Sequence, residues 1–186
     1  MAEAVRRSPL DGLVLPRNRA ATTAACPPAM RFILRGPPEA AASAGPVFGA
    51  SMPLQPLRSE TSGARSALWL GPDEWLLIAE DSEPALGVNL EAALGSVPHA
   101  LFDVSHRQSA LEVSGSGAAR LLNAGVLLDL DSSAFPVGMV ARTLLTKAEI
   151  TLWRRAPELF RVEFSRSFGL YVAAILTQAA NDQELC

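Results

Sequence analysis

Residues 101–153 read LFDVSHRQSALEVSGSGAARLLNAGVLLDLDSSAFPVGMVARTLLTKAEITLW, a stretch that sets strand, turn and helix signals in one distinctive order. Its first part is extended. LFDVS at 101–105 leads into RQSALEVSG, where Ser109, Leu111 and Val113 point one way while Gln108, Ala110 and Glu112 point the other, the period of a half-buried strand. Ser116 is placed to cap a short helix carrying Ala118, Leu121 and Leu122, and Gly125 is expected to end it in the left-handed conformation. From Met139 onward the alternation returns. Thr146, Ala148, Ile150 and Leu152 share one face of a strand, with Lys147, Glu149, Thr151 and Trp153 on the other.

Outward from that stretch the same signals repeat. Phe160, Val162 and Phe164 alternate with Leu159, Arg161 and Glu163 in a strand that answers the preceding one across RRAPE. Phe168, Tyr171, Val172, Ile175, Leu176 and Ala179 then follow the helical repeat. On the N-terminal side, ALWLG and EWLLIA flank Gly71-Pro72-Asp73-Glu74 and read as a hairpin over residues 67–79. Ser82 is placed to cap the next helix, whose apolar face is Leu86, Leu90, Ala93 and Leu94 and which Gly95 ends. Hairpins alternating with helices predict an α+β domain, largely antiparallel sheets with three helices packed on them. The sequence contains no exact internal repeat.

The N-terminal third is a different kind of polymer. Residues 1–58 hold seven arginines against Glu3, Asp11 and Glu39, a net +4 in a chain whose total is −3, so the remaining 128 residues carry −7. They also hold nine of the fourteen prolines. Dense proline disfavours long helices and central strands. The reading is a basic, proline-rich extended arm over residues 1–58 and a single α+β domain over 59–186. Scattered apolar points on the arm, Leu10, Leu13, Val14, Leu15, Phe48, Leu54 and Leu57, are expected to dock on a partner, with Trp153 as a further contact. Phe32 and Ile33 belong to the same scatter. Glu3, Asp11 and the prolines interrupt any amphipathic transit helix, and no apolar run approaches the roughly 20 residues that cross a bilayer. The acidic total argues against nucleic acid, and two distant cysteines, Cys26 and Cys186, fit free thiols in a reducing cytoplasm.

Several residue sets invite chemistry and lack the geometry for it. Asp103, Ser105 and His106 have the residue types of a hydrolase triad, but neighbours on an extended strand face opposite ways and cannot form one proton relay. Gly115-Ser116-Gly117 before a helix lacks the third glycine of a dinucleotide fingerprint and the lysine of a phosphate loop, and reads as a tight turn. Asp129 and Asp131 lack a third ligand for a cation, and His99 and His106 are seven residues apart without a shared helical face. Lys147, the only lysine, has Glu149 two residues on and reads as an exposed ion pair. Trp69 and Trp75 are expected in the core or at an interface. No catalytic, cofactor-binding or metal-binding residue is predicted in this chain.

Taken in order, DVSHRQSALEVSG, GAARLLNAG, LDLD with AFPVGM, ARTLLTKAEITLW and LFRVEFSRSFGLYV resemble the gamma subunit of heterotetrameric sarcosine oxidase, over roughly residues 60–180. The resemblance implies a fold similar to the folate-binding aminomethyltransferase domain. It implies an accessory role in an assembly with alpha, beta and delta subunits that oxidatively demethylates sarcosine to glycine. Hydrogen peroxide and formaldehyde or methylene-tetrahydrofolate would be the other products. FAD, FMN, NAD, zinc and tetrahydrofolate would then sit on the other subunits. The alternative is a free-standing folate-binding or aminomethyl-transfer protein, against which stands the absence of the Lys-Gly-Cys-Tyr-x-Gly-Gln-Glu signature of the iron-sulfur-repair relatives of that fold.

Overall fold

In the computed structural model, which describes residues 8–81 and 83–184, the chain consists of two halves with the same order of elements. The first runs β1 (Thr22–Ala25), β2 (Met30–Arg35), α1 (Pro38–Phe48), β3 (Ser59–Ser62), β4 (Arg65–Gly71), β5 (Glu74–Ala79) and α2 (Leu86–Leu94). The second runs β6 (Ala100–Asp103), β7 (Gln108–Ser114), α3 (Ala118–Asn123), β8 (Val140–Leu145), β9 (Ala148–Ala156), β10 (Leu159–Ser165) and α4 (Gly169–Glu184). Each half builds an antiparallel five-stranded sheet, in the orders β3-β4-β5-β2-β6 and β8-β9-β10-β7-β1. The orders match element for element, and the edge strands are exchanged: β1 of the first half pairs with β7, and β6 of the second pairs with β2.

The equivalence reaches single residues. Gly36 N donates to Asp73 O and Gly115 N to Glu158 O, each at 2.9 Å, both acceptors following a proline in the matching hairpin turns. A Cβ on Gly36 would come within 3.1 Å of Pro98 O, and one on Gly115 within 2.3 Å of Ala20 O. Pro98 and Ala20 each precede an exchanged strand by two residues, so both glycines mark where the incoming chain presses on the strand it will flank. Gly115 also has φ 109°, which a side chain resists.

Packing follows in four layers. α1 and α2 cover Phe32, Leu34, Trp75 and Leu77 on the outer face of one sheet, and α3 and α4 cover Leu111, Val113, Phe160 and Val162 on the other. Between the sheets lie Leu68, Leu76, Ile78, Val140 and Trp153. The alternate positions of the strands, which in a one-sided antiparallel sheet would meet water, here meet a second sheet. This seam holds charge. Arg31 on β2 donates from Nε and Nη2 to the two oxygens of Glu163 on β10, at 2.7 and 3.2 Å, and Arg161 Nε donates to Glu163 at 2.8 Å. Arg161 also reaches Glu80, and Arg155 reaches Glu112 at 2.7 Å. Arg31, Arg161 and Glu163 are each 1% exposed. Burial works against the charge of Arg161, and Glu163 with Glu80 outweighs it, so this guanidinium is held above its usual range.

Three expectations need correction. Residues 22–58 are no arm: β2 is an interior strand flanked by β5 and β6, and α1 adds a fourth helix. The two proline pairs sit where they cost little, Pro27-Pro28 in the link between β1 and β2 and Pro37-Pro38 at the start of α1, where a missing N–H breaks no hydrogen bond; Pro46 alone lies inside that helix, near its C-terminal end. Residues 1–7 and the Ser82 cap lie outside the described residues. The strand expected from Met139 to Trp153 is a hairpin, reversed at Thr146 with φ 53°. Gly125 is not left-handed; Ala124 caps α3 in the right-handed region, and Gly125 makes room for Leu145, 2.8 Å from where its Cβ would be. Gly95 does end α2. No helix among the described residues is long and apolar enough to cross a membrane.

At the α2–β6 joint, both ring nitrogens of His99 face acceptors, Nδ1 to Val97 O at 2.7 Å and Nε2 to Glu91 Oε2 at 2.8 Å. Only the imidazolium satisfies both. Glu91 first, then the Val97 carbonyl, raise its pKa above the ordinary 6.5.

Glu163→Gln leaves two buried guanidiniums without their shared carboxylate and is expected to destabilise the fold by about 3–5 kcal/mol in urea unfolding. Gly115→Ala should cost more than about 1 kcal/mol in the same assay, because both φ and the Ala20 carbonyl oppose the methyl. A raised folded pKa means that the His99–Glu91 contribution is complete below the unfolded value and fades as pH rises through the folded one. Thermal melts should therefore show wild type above His99→Gln at acidic pH, with the gap closing as pH rises past neutrality.

Candidate functional site in the seam between the sheets

At the end of the seam away from Glu80, residues of both sheets line a cleft of about 470 Å³. Strand register fixes its walls. On one sheet Phe102, Ile33 and Leu76 form a continuous row, since Ile33 is opposite both Phe102 on β6 and Leu76 on β5. On the other, Gln108 is opposite Ser165, and Glu163 is opposite Thr151, so the facing wall is polar. Of the charged groups that line the cleft, Arg35 pairs with Asp73 at 2.9 Å, Arg142 pairs with Glu74, and Glu163 belongs to the buried network. Arg107 and Glu149 complete the lining. The cleft combines apolar and hydrogen-bonding walls, the means of binding, and among the described residues no hydroxyl that lines it is hydrogen-bonded to a carboxylate.

The residue sets with chemical promise are placed apart. Ser105 Oγ accepts from Arg31 N at 2.9 Å and Ser105 N donates to Asp103 Oδ1 at 2.8 Å, so this pair shapes the crossover from β6 to β7, while His106 is exposed. Gly115-Ser116-Gly117 packs on Ala20. Asp129 accepts from Asp131 N, and Asp131 accepts from Ser133 N and Oγ, at 2.9, 2.8 and 2.6 Å; the Ser133 contacts hold the Asp131 carboxyl below its usual range. Among the described residues no three His, Cys, Asp or Glu side chains are grouped to hold a metal ion. Lys147 is exposed in the β8–β9 turn. Cys26 lies beside Arg161 and Arg31; burial pushes its thiol up to about 11, against the pull of Arg161.

The expected partner contacts divide. Leu10, Phe48 and Trp153 are 4%, 0% and 4% exposed, so their apolar surface is used inside the chain. Leu10 packs among α3 and α4, Phe48 under the first sheet, and Trp153 in the seam with Arg155 5.0 Å from its ring. Trp153 shares a strand face with Glu149 and Thr151, and the second sheet covers that face. Trp75 is buried with Nε1 donating to Pro53 O at 2.7 Å, and Trp69 is half-buried. Leu15 is half-buried, while Leu13, Val14, Leu54 and Leu57 are exposed. Sequence reasoning missed Arg31, Arg161 and Glu163 as a unit. The available signal was that Arg161 and Glu163 share one face of a strand whose other face is wholly apolar, which says nothing about a second sheet above them.

Comparison with known proteins places the chain. The sarcosine oxidase gamma subunit family model matches residues 35–182. Sarcosine oxidase subunit gamma of Corynebacterium sp. (strain U-96) is 33% identical over 143 residues, 77% of this chain and 69% of that protein. The Arthrobacter sp. subunit is 34% identical over 159 residues, 83% of this chain and 73% of its own length. A chain of the heterotetrameric sarcosine oxidase from Corynebacterium sp. U-96, solved in complex with pyrrole 2-carboxylate, superposes with TM-score 0.87 at 29% identity over 95% of each chain. Glycine cleavage system aminomethyltransferase T from Bartonella henselae shares the fold, with TM-score 0.63 at 16% identity over 84% of this chain and 45% of that one. With its model matched across both halves, the chain belongs to the sarcosine oxidase gamma subunit family.

Proposed function

We propose that this chain is the accessory gamma subunit of a heterotetrameric sarcosine oxidase, an oxidoreductase that demethylates sarcosine to glycine. The end-to-end likeness to a chain of the Corynebacterium heterotetramer carries this reading. In it the alpha, beta and delta subunits are the partners, and the flavins, NAD, zinc and tetrahydrofolate reside on them. The one-carbon unit leaves as formaldehyde or methylene-tetrahydrofolate, with hydrogen peroxide as the reduced product, in the cytoplasm. The chain's own share is assembly. Its buried ionisable groups are committed to one another across the seam, which supports a framework role over a catalytic one.

Docking falls to apolar residues that the fold leaves outside. Val14 is 94% and Leu54 60% exposed. Leu57, 39% exposed, sits at φ 61° while its carbonyl accepts from Val140 N at 3.0 Å, a strained conformation for a leucine. Exposed aliphatics beside a strained backbone suit a subunit contact.

Capture of the full chain from its native cells should bring down large flavin-bearing subunits, and a chain recovered alone and binding folate would sink the reading. Val14→Asp together with Leu54→Asp should weaken assembly at least about tenfold, a loss of about 1.4 kcal/mol, in a titration followed by native mass spectrometry. The melting temperature of the chain itself should change little, since both side chains are mostly exposed.

A further inference from the structure

The cleft between the sheets has a charge pattern that the assembly role does not use. Six charged side chains line it, and four are accounted for within the chain: Arg35 by Asp73, Arg142 and Glu74 by each other, and Glu163 by Arg31 and Arg161. The remaining two, Arg107 and Glu149, are opposite in sign, exposed, and make no ion pair among the described residues. They stand at opposite sides of the polar wall. Arg107 directly precedes Gln108 on β7, and Glu149 lies one residue beyond the Phe164–Ile150 pair on β9, with β10 between the two strands. Two strand spacings separate them, roughly 10 Å of backbone. Opposite them runs the apolar row of Ile33 and Leu76, ending at Phe102, 57% exposed on an edge strand.

We infer that this cleft binds a small zwitterion with an apolar body, its carboxylate at Arg107, its ammonium group at Glu149 and its body against Phe102 and Ile33. A simple anion or cation would satisfy one of the two charges and leave the other facing it unpaired. A zwitterion satisfies both at no net charge, and a cleft of about 470 Å³ accommodates a molecule of amino-acid size with its hydration. Half-buried Gln108 and Ser165 supply hydrogen-bonding groups between the two charged ends, and Thr151 adds one next to Glu163.

Three probes of one shape separate the contributions: free phenylalanine, phenylacetate without the amine, and phenethylamine without the acid, each titrated calorimetrically into the full chain. Phenylalanine is expected to bind at least about tenfold more tightly than either analogue. Arg107→Gln should bring phenylalanine down to the level of phenethylamine and leave phenethylamine unchanged. Glu149→Gln should bring it down to the level of phenylacetate and leave phenylacetate unchanged. Both side chains are exposed, so neither substitution threatens the fold. Equal binding of all three probes, indifference of phenylalanine to either substitution, or no saturable binding up to about 10 mM would overturn the inference. The titration repeated on the assembled complex must also retain binding; its loss there would make the cleft a subunit contact instead.

Discussion

Exchange of the edge strands is the constraint on which the rest of this structure depends. Because β1 completes the sheet of the second half and β6 that of the first, neither half has a full sheet without the other. Face-to-face packing of the sheets follows directly, since the chain must cross from one to the other twice, at residues 26–29 and 104–107. Arg31 and Ser105, one beside each crossover, meet there, with Ser105 Oγ accepting the Arg31 amide. The buried carboxylate of Glu163 then joins the guanidinium of that same arginine to the opposite sheet. Hydrogen bonding and charge pairing thus act at the one place where the two halves cannot be pulled apart independently.

Much of this order was legible in the amino acids. Period-two alternation identified β7 and β10, the Pro72-Asp73 turn identified the β4–β5 hairpin, and the 3.6-residue repeat identified α2 and α4. What failed did so for identifiable reasons. MRFILR is only six residues between proline pairs, too short to outweigh them as a local signal, yet it is an interior strand because two other strands flank it. Alternation on both sides of the turn hid the reversal at Thr146-Lys147, although the two-residue turn shifts the pattern by one position, with Leu145 opposite Ala148 and Ala141 opposite Leu152. The duplication itself left little trace beyond the two proline-acid turns, because equivalent seam positions carry dissimilar residues: Leu76 in one half stands where Arg161 stands in the other.

The candidate site was less legible than the fold. The sequence pairs Glu149 with Lys147, a local relation, whereas its place in the cleft depends on a second sheet facing it. Local alternation likewise points Trp153 outward, and only the second sheet makes that face an interior one. Pairing and burial across the seam join residues more than one hundred positions apart, as with Arg31 and Glu163, and no local pattern encodes such a distance. Antiparallel sheets can be recognised from one strand at a time; what lies on their second face cannot.

The exchanged strand also has a consequence for how the chain is made. Thr22 pairs with Ser114, so a strand that leaves the ribosome early waits for nearly the whole first half and part of the second before its partner exists. Contacts of such long sequence separation slow folding, and during that interval β1 is a short free edge able to pair with any other extended chain. The basic, proline-studded residues before and after it are poor strand formers, which shortens that edge to four residues and limits its mispairing while synthesis proceeds.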